Sequence, residues 1–244
     1  MKRLADEADP APVKPAIAVR APEVVRREVA GIRFEGVAFD SRSHRLRVAD
    51  QVGGPGSRWA DAEAVARDFG GLAAANAGFF TPEGDPLGKV VADGNAAGAW
   101  NRSSSLGSGV WMEDGSGAMS IRRREHASAE GVRELLQAGP MLVDRGRAVD
   151  GLDATKVSVR SMVLWDGGSR WWLGRAADCS LAGLGAALAA EPPAGWPVAM
   201  ALNLDGGRSC DLSVSAGVSG GPLVRRALWN RPVRNFLVLV PRGG

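Results

Sequence analysis

Hydrophobic and polar residues alternate over short stretches along much of the chain, and a period of two residues is typical of half-buried β-strands. Residues 24–40 and 44–50 carry this pattern. The clearest strand pair spans 156–176, where two apolar runs flank a turn at 166–168. A continuous apolar run at 197–204 predicts a buried strand. In total the pattern predicts about ten to twelve strands.

Three segments show apolar residues at the spacing of an α-helix. They are 60–71, 128–139 and 180–191. The first ends at a Gly-Gly pair, and Asp178 or Ser180 would cap the third. We therefore expect about three helices packed on the strands.

The strands do not alternate regularly with the helices, which argues against a doubly wound parallel sheet. The pattern instead predicts a single α+β domain at 24–244, with a mixed β-sheet system and about three packed helices. Residues 1–23 are rich in Pro, Ala and charge, and this composition predicts a flexible linker or tether.

Composition and charge narrow the class of protein. The chain has 244 residues, 45% hydrophobic and 23% charged, which is ordinary globular composition. The net charge is +3, and the basic residues are neither clustered nor interleaved with aromatics as in nucleic-acid-binding proteins. No window is long and apolar enough for a membrane span, and the first residues lack the apolar core of a signal peptide.

Cysteine and histidine suggest no metal centre. Cys179 and Cys210 form either one disulfide or two buried thiols. His44 and His126 are far apart in the chain and have no partners at zinc-ligand spacing. We expect no cofactor, although a calcium or magnesium site built from oxygen ligands stays open.

Two glycine-containing motifs follow predicted elements. The motif "NAGFF" at 76–80 places Asn76 at a strand end and Gly78 where the backbone can approach another group closely. Taken alone, it is more typical of a strand that ends in a turn. The motif "QAGP" at 137–140 by itself marks only the end of one element and the start of the next.

Arg160 lies in the middle of an apolar predicted strand. Burying an arginine without an anionic partner is costly. Two interpretations are therefore open: the side chain pairs with an aspartate, or it points into a cleft and binds an anion.

The stretch "LNLDGGRSC" at 202–210 also has two interpretations. Asp-Gly is a common hairpin turn, so the first interpretation is a simple hairpin. However, Asn203 and Asp205 are two residues apart and would point the same way off a strand. An amide and a carboxylate on one face are suited to bind a sugar or a metal.

In this order, "NAGFF…PLG", "QAGPMLV", the strand arginine and "ALNLDGGRS" resemble the phosphodiester glycosidase family, which includes bacterial chains, over about residues 35–240. The resemblance implies a hydrolase that cleaves a sugar-1-phosphodiester at the bond between C1 and oxygen. A sugar and a phosphomonoester would be released. It also implies a phosphorylated glycan as partner and an extracytoplasmic location, periplasmic or secreted, with a cytoplasmic one as the alternative. The oligomeric state is not implied.

The resemblance also implies roles for individual residues. Asp205 would be the catalytic carboxylate, and Arg160, with Arg208 as a second candidate, would bind the phosphate. Asn76 and Asn203 would hold sugar hydroxyls or an N-acetyl group. The remaining candidates would offer backbone N–H groups, a hydroxyl or close backbone approach to the ligand, and they are Gly78, Gly206, Gly207 and Ser209. A second carboxylate is sought in the loop after "NAGFF", at Glu83 or Asp85.

The chain departs from the family pattern at three points. Arg208 stands where the family has a third glycine, Cys210 replaces a serine, and Ser161 replaces the threonine after the strand arginine. These departures leave two other hypotheses open. The first is a glycan or cell-wall binding module without catalysis. The second is a metal-dependent phosphodiesterase that uses Asp205 and Asn203 as oxygen ligands.

Overall fold

The computed structural model describes residues 19–243, and these residues form three antiparallel β-sheets with two α-helices. The helices are α1 (Ala62–Asp68) and α2 (Leu181–Ala190). The strands in chain order are β1 (Glu23–Val29), β2 (Ile32–Asp40), β3 (His44–Asp50), β4 (Ala73–Asn76), β5 (Val90–Ala92), β6 (Asn95–Ala97), β7 (Gly109–Asp114), β8 (Met119–Arg123), β9 (Val132–Ala138), β10 (Met141–Asp144), β11 (Arg147–Ala148), β12 (Ser158–Trp165), β13 (Arg170–Cys179), β14 (Met200–Asn203), β15 (Asp211–Val214), β16 (Leu223–Arg226) and β17 (Asn235–Pro241).

Sheet A has seven strands in the order β1-β2-β13-β12-β14-β10-β11. Sheet B has the order β16-β15-β4-β17-β3, and sheet C has the order β6-β5-β9-β7-β8. All ladders between these strands are antiparallel, so the predicted mixed β-sheet system is corrected to three antiparallel sheets. The predicted hairpin at 156–176 is confirmed as β12 and β13.

The three sheets share one hydrophobic core. Phe39 of sheet A, Leu237 of sheet B and Trp111 of sheet C belong to a single cluster of buried side chains. The opposite face of sheet A packs against α2, and the opposite face of sheet B packs against α1. This arrangement explains why several strands are apolar on both faces and why their sequences do not alternate.

The helices at 60–71 and 180–191 are confirmed, and both begin with a side-chain cap. Asp61 accepts a hydrogen bond from Ala64 N, and Ser180 accepts one from Gly183 N. Ser180 is thus the cap of α2. No helix within 19–243 is long and apolar enough to cross a membrane.

The helix predicted at 128–139 is wrong, because this segment contains β9, the central strand of sheet C. Glu134 and Gln137 give it a helical pattern, since they look like the polar face of a helix. Both side chains are buried instead. Glu134 accepts hydrogen bonds from Arg47 and Val48. Gln137 forms hydrogen bonds with the backbone of Lys89, Asn101 and Gly107. Tertiary contacts therefore override the local preference. The prediction of about three helices is corrected to two.

The strand count is also higher than predicted, because seventeen strands are present within 19–243. The additional ones are short, such as β6 and β11, and carry too few residues to show a period. The tether predicted at 1–23 lies mostly outside the described residues, and its last residue, Glu23, begins β1.

Two glycines set the contact between β2 and β13, where Gly36 and Gly174 are opposite each other. A Cβ on Gly174 would lie 2.5 Å from Gly36 Cα and 2.7 Å from the Trp172 ring. We expect Gly174→Ala to lower the free energy of unfolding by about 1–3 kcal/mol through overpacking. The control is Gly168→Ala in the same hairpin, whose added Cβ would meet its nearest neighbour at 3.4 Å. Urea denaturation measures both, and equal stability of the two variants would contradict this packing.

Candidate active site

The segment 204–210 connects β14 of sheet A to β15 of sheet B, and we call it the crossing loop. The interpretation of this segment as a hairpin is therefore wrong, since the flanking strands belong to different sheets. The loop contains a short 3₁₀ turn at Gly207–Ser209. It leaves sheet A at the edge where the two sheets meet.

The two glycines of the crossing loop are needed for different reasons. A Cβ on Gly206 would lie 2.6 Å from the carbonyl oxygen of Val159, so only glycine permits this close approach. Gly207 has a φ of 60°, in the left-handed region that favours glycine. The Asp-Gly-Gly sequence thus allows the loop to pass directly over β12.

Asn76 lies beneath the loop and joins four segments. Its Nδ2 donates to the carbonyl oxygen of Asp205 at 2.5 Å. Its Oδ1 accepts from the Ser161 hydroxyl at 2.7 Å and from the Asp211 N–H at 3.0 Å. The side chain is fully buried, so its hydrogen bonds define the path of the loop.

Backbone contacts bring the "NAGFF" and "QAGP" motifs to the same place. The N–H of Asp205 donates to the Ala77 carbonyl at 2.8 Å. Asn203 donates through its N–H to the carbonyl of Pro140 and through Nδ2 to the carbonyl of Gly139. The Oδ1 atom of Asn203 is buried and has no hydrogen-bond partner within the described chain, and the residue lines the cleft.

A cleft of about 560 Å³ opens over the loop, and seven of the nine predicted site residues line it. These seven are Arg160, Asn203, Asp205, Gly206, Gly207, Arg208 and Ser209. Asn76 and Gly78 lie behind the cleft and are buried, and the N–H of Gly78 donates to Asn235 Oδ1 at 2.7 Å. Both residues therefore hold a supporting position in this structure, and the ligand contacts expected for them stay a prediction.

The cleft has an excess of positive charge. Four cationic side chains line it, against two carboxylates. The cations are Lys156, Arg160, Arg208 and Arg231, and the carboxylates are Asp153 and Asp205. Such a surface attracts an anion.

Arg160 fits the second of its two interpretations. Its guanidinium donates to the carbonyl of Lys156 at 2.7 Å and to that of Cys179 at 3.4 Å. Within the described chain it forms no ion pair, and it lines the cleft together with Asp205. The two carbonyls fix the direction of the side chain while its charge stays available to a ligand.

Asp205 combines burial with hydrogen bonds. Burial raises the pKa of its carboxyl group, because removal from water disfavours the charged form. The Ser209 hydroxyl, the Gly206 N–H at 2.9 Å and the charge of Arg231 oppose this rise, but the net direction remains upward. A carboxylate of this kind is suited to titrate during a reaction.

Three charged residues that line the cleft were not among the predicted ones. Lys156 precedes β12, and Asp153 orders the turn before it by accepting from the N–H groups of Thr155 and Lys156. Arg231 lies in the loop before β17, with its Cζ 4.6 Å from the centroid of the Phe80 ring. No local motif marks these side chains, because they reach the cleft only through the packing of distant elements.

The predicted second carboxylates, Glu83 and Asp85, do not line the cleft, so that prediction is corrected. The described residues contain no group of three or more His, Cys, Asp or Glu side chains that could hold a metal ion. Asp205 and the free Oδ1 of Asn203 would provide two oxygen ligands, fewer than the six to eight that Ca²⁺ takes.

A sequence profile of the phosphodiester glycosidase family matches residues 69–240. The chain belongs to the phosphodiester glycosidase family. Strands β1 to β3 precede the matched region and complete sheets A and B of the same fold. None of the curated proteins matches the chain.

Solved structures share the fold of this phosphodiester glycosidase domain at low sequence identity. The catalytic domain of zebrafish N-acetylglucosamine-1-phosphodiester α-N-acetylglucosaminidase, auto-inhibited by its pro-peptide, is 16% identical with a TM-score of 0.61, over 94% of this chain and 86% of that one. A Synechocystis protein is 18% identical with a TM-score of 0.59, over 93% and 64%. A Burkholderia pseudomallei protein described as exported is 15% identical with a TM-score of 0.50, over 86% and 75%.

Two of the departures from the family pattern are in contact with each other at the end of the crossing loop. The Ser161 hydroxyl is 2.7 Å from Asn76 Oδ1 and 3.2 Å from the Cys210 sulfur. Cys210 and Cys179 are both buried free thiols, so of the two interpretations the disulfide is wrong. Burial raises the pKa of Cys179 to about 11. The third departure, Arg208, is exposed and lines the cleft.

We expect Asn76→Ala to lower the free energy of unfolding by about 2–4 kcal/mol. The substitution leaves buried groups of Asp205, Ser161 and Asp211 without their partner. Asn95→Ala is the control, because Asn95 is exposed and its amide makes one contact, at 3.3 Å with the Asp93 carbonyl. Urea denaturation of both variants measures the difference. If Asn76→Ala lowers the free energy of unfolding by less than about 0.5 kcal/mol, the hydrogen bonds of Asn76 do not hold the crossing loop in place.

Proposed function

We propose that the protein hydrolyses a sugar-1-phosphodiester at the bond between C1 and the phosphate oxygen, releasing a sugar and a phosphomonoester. The observation that carries this proposal is the cleft, where the partly buried carboxylate of Asp205 lies among four cationic side chains. Membership in the phosphodiester glycosidase family supports the same reaction class.

The reaction requires little help for the leaving group. When the C1–O bond breaks, its electron pair stays on the phosphate oxygen, and a phosphomonoester holds that charge far better than a sugar alkoxide. The oxygen of a water molecule forms the new bond to C1, and its proton goes to solvent or to a carboxylate. The protein must therefore stabilise the positive charge that develops at C1 and the negative charge on the phosphate.

The proposed roles follow from these charges. Asp205 faces the oxocarbenium-like C1 as a carboxylate, or accepts the proton of the attacking water. Arg160 and the other cations of the cleft bind the phosphate. Asn203 holds a sugar hydroxyl or an N-acetyl group, for which its unpaired Oδ1 is an acceptor. The N–H group of Gly207 donates to a phosphate oxygen, while the Gly206 N–H and the Ser209 hydroxyl hold the carboxylate of Asp205.

The partner is a phosphorylated glycan or another sugar-1-phosphodiester. One solved neighbour acts, by its name, on an N-acetylglucosamine-1-phosphodiester, which supports this class of substrate. Another neighbour is described as exported, which supports an extracytoplasmic location for this chain as well.

The first test uses a diester of N-acetylglucosamine-1-phosphate with methanol as substrate. We expect release of the free sugar, and we expect Asp205→Asn to lower kcat by about 10²- to 10⁴-fold, because it removes the carboxylate without changing the shape of the side chain. The control is Asp85→Asn, which lies outside the lining of the cleft and should keep wild-type activity.

Two results would favour other functions, and a third would exclude the proposed catalytic carboxylate. Binding of a glycan without release of sugar would indicate a binding module. Activity that disappears in chelator and returns with Mg²⁺ or Ca²⁺ would indicate a metal-dependent phosphodiesterase. Equal activity of Asp205→Asn and wild type would exclude Asp205 as the catalytic carboxylate.

The pH profile provides a separate prediction. The proposed role needs ionised Asp205, and burial raises the pKa of this group above its ordinary value of 3.8. The acid limb of kcat/KM should therefore lie above pH 3.8, with activity lost as the pH falls through the raised pKa. The charge of Arg231 lowers this pKa, so Arg231→Gln should move the limb to higher pH.

Arg145→Gln is the control for this pH profile. Arg145 is exposed and lies outside the cleft, so its loss should leave the acid limb in place. A limb that stays fixed in Arg231→Gln would mean that another group controls the profile.

A further inference from the structure

The segment 227–231, which we call the tryptophan loop, lies beside the cleft and presents two apolar side chains to solvent. Leu228 is 98% exposed and Trp229 is 81% exposed. Among the exposed large hydrophobic residues within 19–243, Trp229 is the only aromatic one. An aromatic ring in this position needs an explanation, because the other tryptophans of the described chain are at least partly buried.

The backbone of this loop is held against the crossing loop. The N–H of Arg231 donates to the carbonyl of Arg208 at 3.2 Å, and Arg208 Nε donates to the carbonyl of Trp229 at 3.2 Å. The N–H of Asn230 closes a turn on the Ala227 carbonyl at 3.0 Å. The backbone that carries Trp229 is therefore fixed by hydrogen bonds, while the indole side chain is exposed to solvent.

The anchoring residues are also cleft residues. Arg208 and Arg231 both line the cleft, and the charge of Arg231 acts on Asp205. Arg208 makes no ion pair with any carboxylate of the described chain, so its charge remains available to an anion. The same two arginines thus face the anion-binding space on one side and support Trp229 on the other.

This inference rests on the proposed function and extends it to the second alcohol of the substrate. A phosphate held by Arg208 and Arg231 has two ester bonds. One leads to the sugar whose C1 faces Asp205, and the other leads away from Asp205, toward the tryptophan loop. We propose that Trp229 is a stacking platform for a ring-shaped aglycone, such as a second sugar, in the phosphodiester substrate.

The chemistry of the side chain matches that ligand. The indole ring offers a flat apolar face to the C–H face of a sugar ring, and its N–H remains free to donate to a hydroxyl. Arg208, which stands where the family pattern has glycine, becomes a positioning residue that couples the platform to the crossing loop.

The test compares two substrates that differ only in the aglycone. Both are diesters of N-acetylglucosamine-1-phosphate, one with methanol and the other with the 6-hydroxyl of a hexose. We expect Trp229→Ala to raise KM for the hexose diester by about 3- to 10-fold and to leave kcat and KM for the methyl diester unchanged. Trp229→Phe should keep most of the affinity, since it retains a ring.

Leu228→Ala is the matched control, because the neighbouring side chain is even more exposed but cannot stack. It should behave as wild type with both substrates. Equal KM values for wild type and Trp229→Ala on the hexose diester would overturn the platform. Binding to anionic vesicles that both alanine variants abolish would overturn it as well, and would indicate a lipid surface as the partner.

A further measurement separates this inference from the proposed function. If neither diester is hydrolysed by wild-type protein, the proposed reaction fails, and calorimetric binding of the hexose diester then decides the platform. Weaker binding by Trp229→Ala than by Leu228→Ala would retain a ring-binding site without catalysis. Equal binding by the two variants would reject the platform too.

Discussion

The carboxamide of Asn76 is the contact on which the architecture of the site depends. It ends β4 of sheet B, and its three hydrogen bonds reach β12 of sheet A, the crossing loop and the start of β15. A carboxamide can both donate and accept, so one side chain satisfies groups from both sheets. A carboxylate in this position could only accept, so it would lose the donation to the carbonyl of Asp205. The buried amide of Asn76 therefore positions the crossing loop, and the crossing loop lines the cleft.

The part of the site that was predictable from the sequence is the part encoded by local geometry. Gly206 and Gly207 are required by a close approach and by a left-handed backbone, and such requirements leave a mark in a short motif. Asn203 ends a buried strand and Asp205 follows it, and their polarity contrasts with the preceding apolar run. Arg160 could be identified as a candidate because burying a charged side chain in an apolar strand is costly unless it has an anionic partner.

The remainder depends on contacts between residues that are distant in the chain. Lys156 and Arg231 look like ordinary surface cations in the sequence, and only the packing of the sheets brings them to the cleft. In the same way the sequence of β9 resembles that of a helix. Its polar residues Glu134 and Gln137 look solvent-exposed in the sequence, but they are buried against partners that are distant in the chain. The sequence identified Asn76 as a candidate, but it did not show that the side chain is buried and supports the crossing loop. A short motif carries no information on burial.

The backbone of Asp205 is fixed on both sides, through its N–H to Ala77 and through its carbonyl to Asn76. The conformational entropy lost when this residue is ordered is therefore part of the folding free energy of the domain. It is not lost again when a ligand binds. A carboxylate held in this way is preorganised, so it would need no rearrangement to stabilise a developing charge. It also follows that the site should be lost on heating together with the cooperative unfolding of the sheets, and not in an earlier local transition.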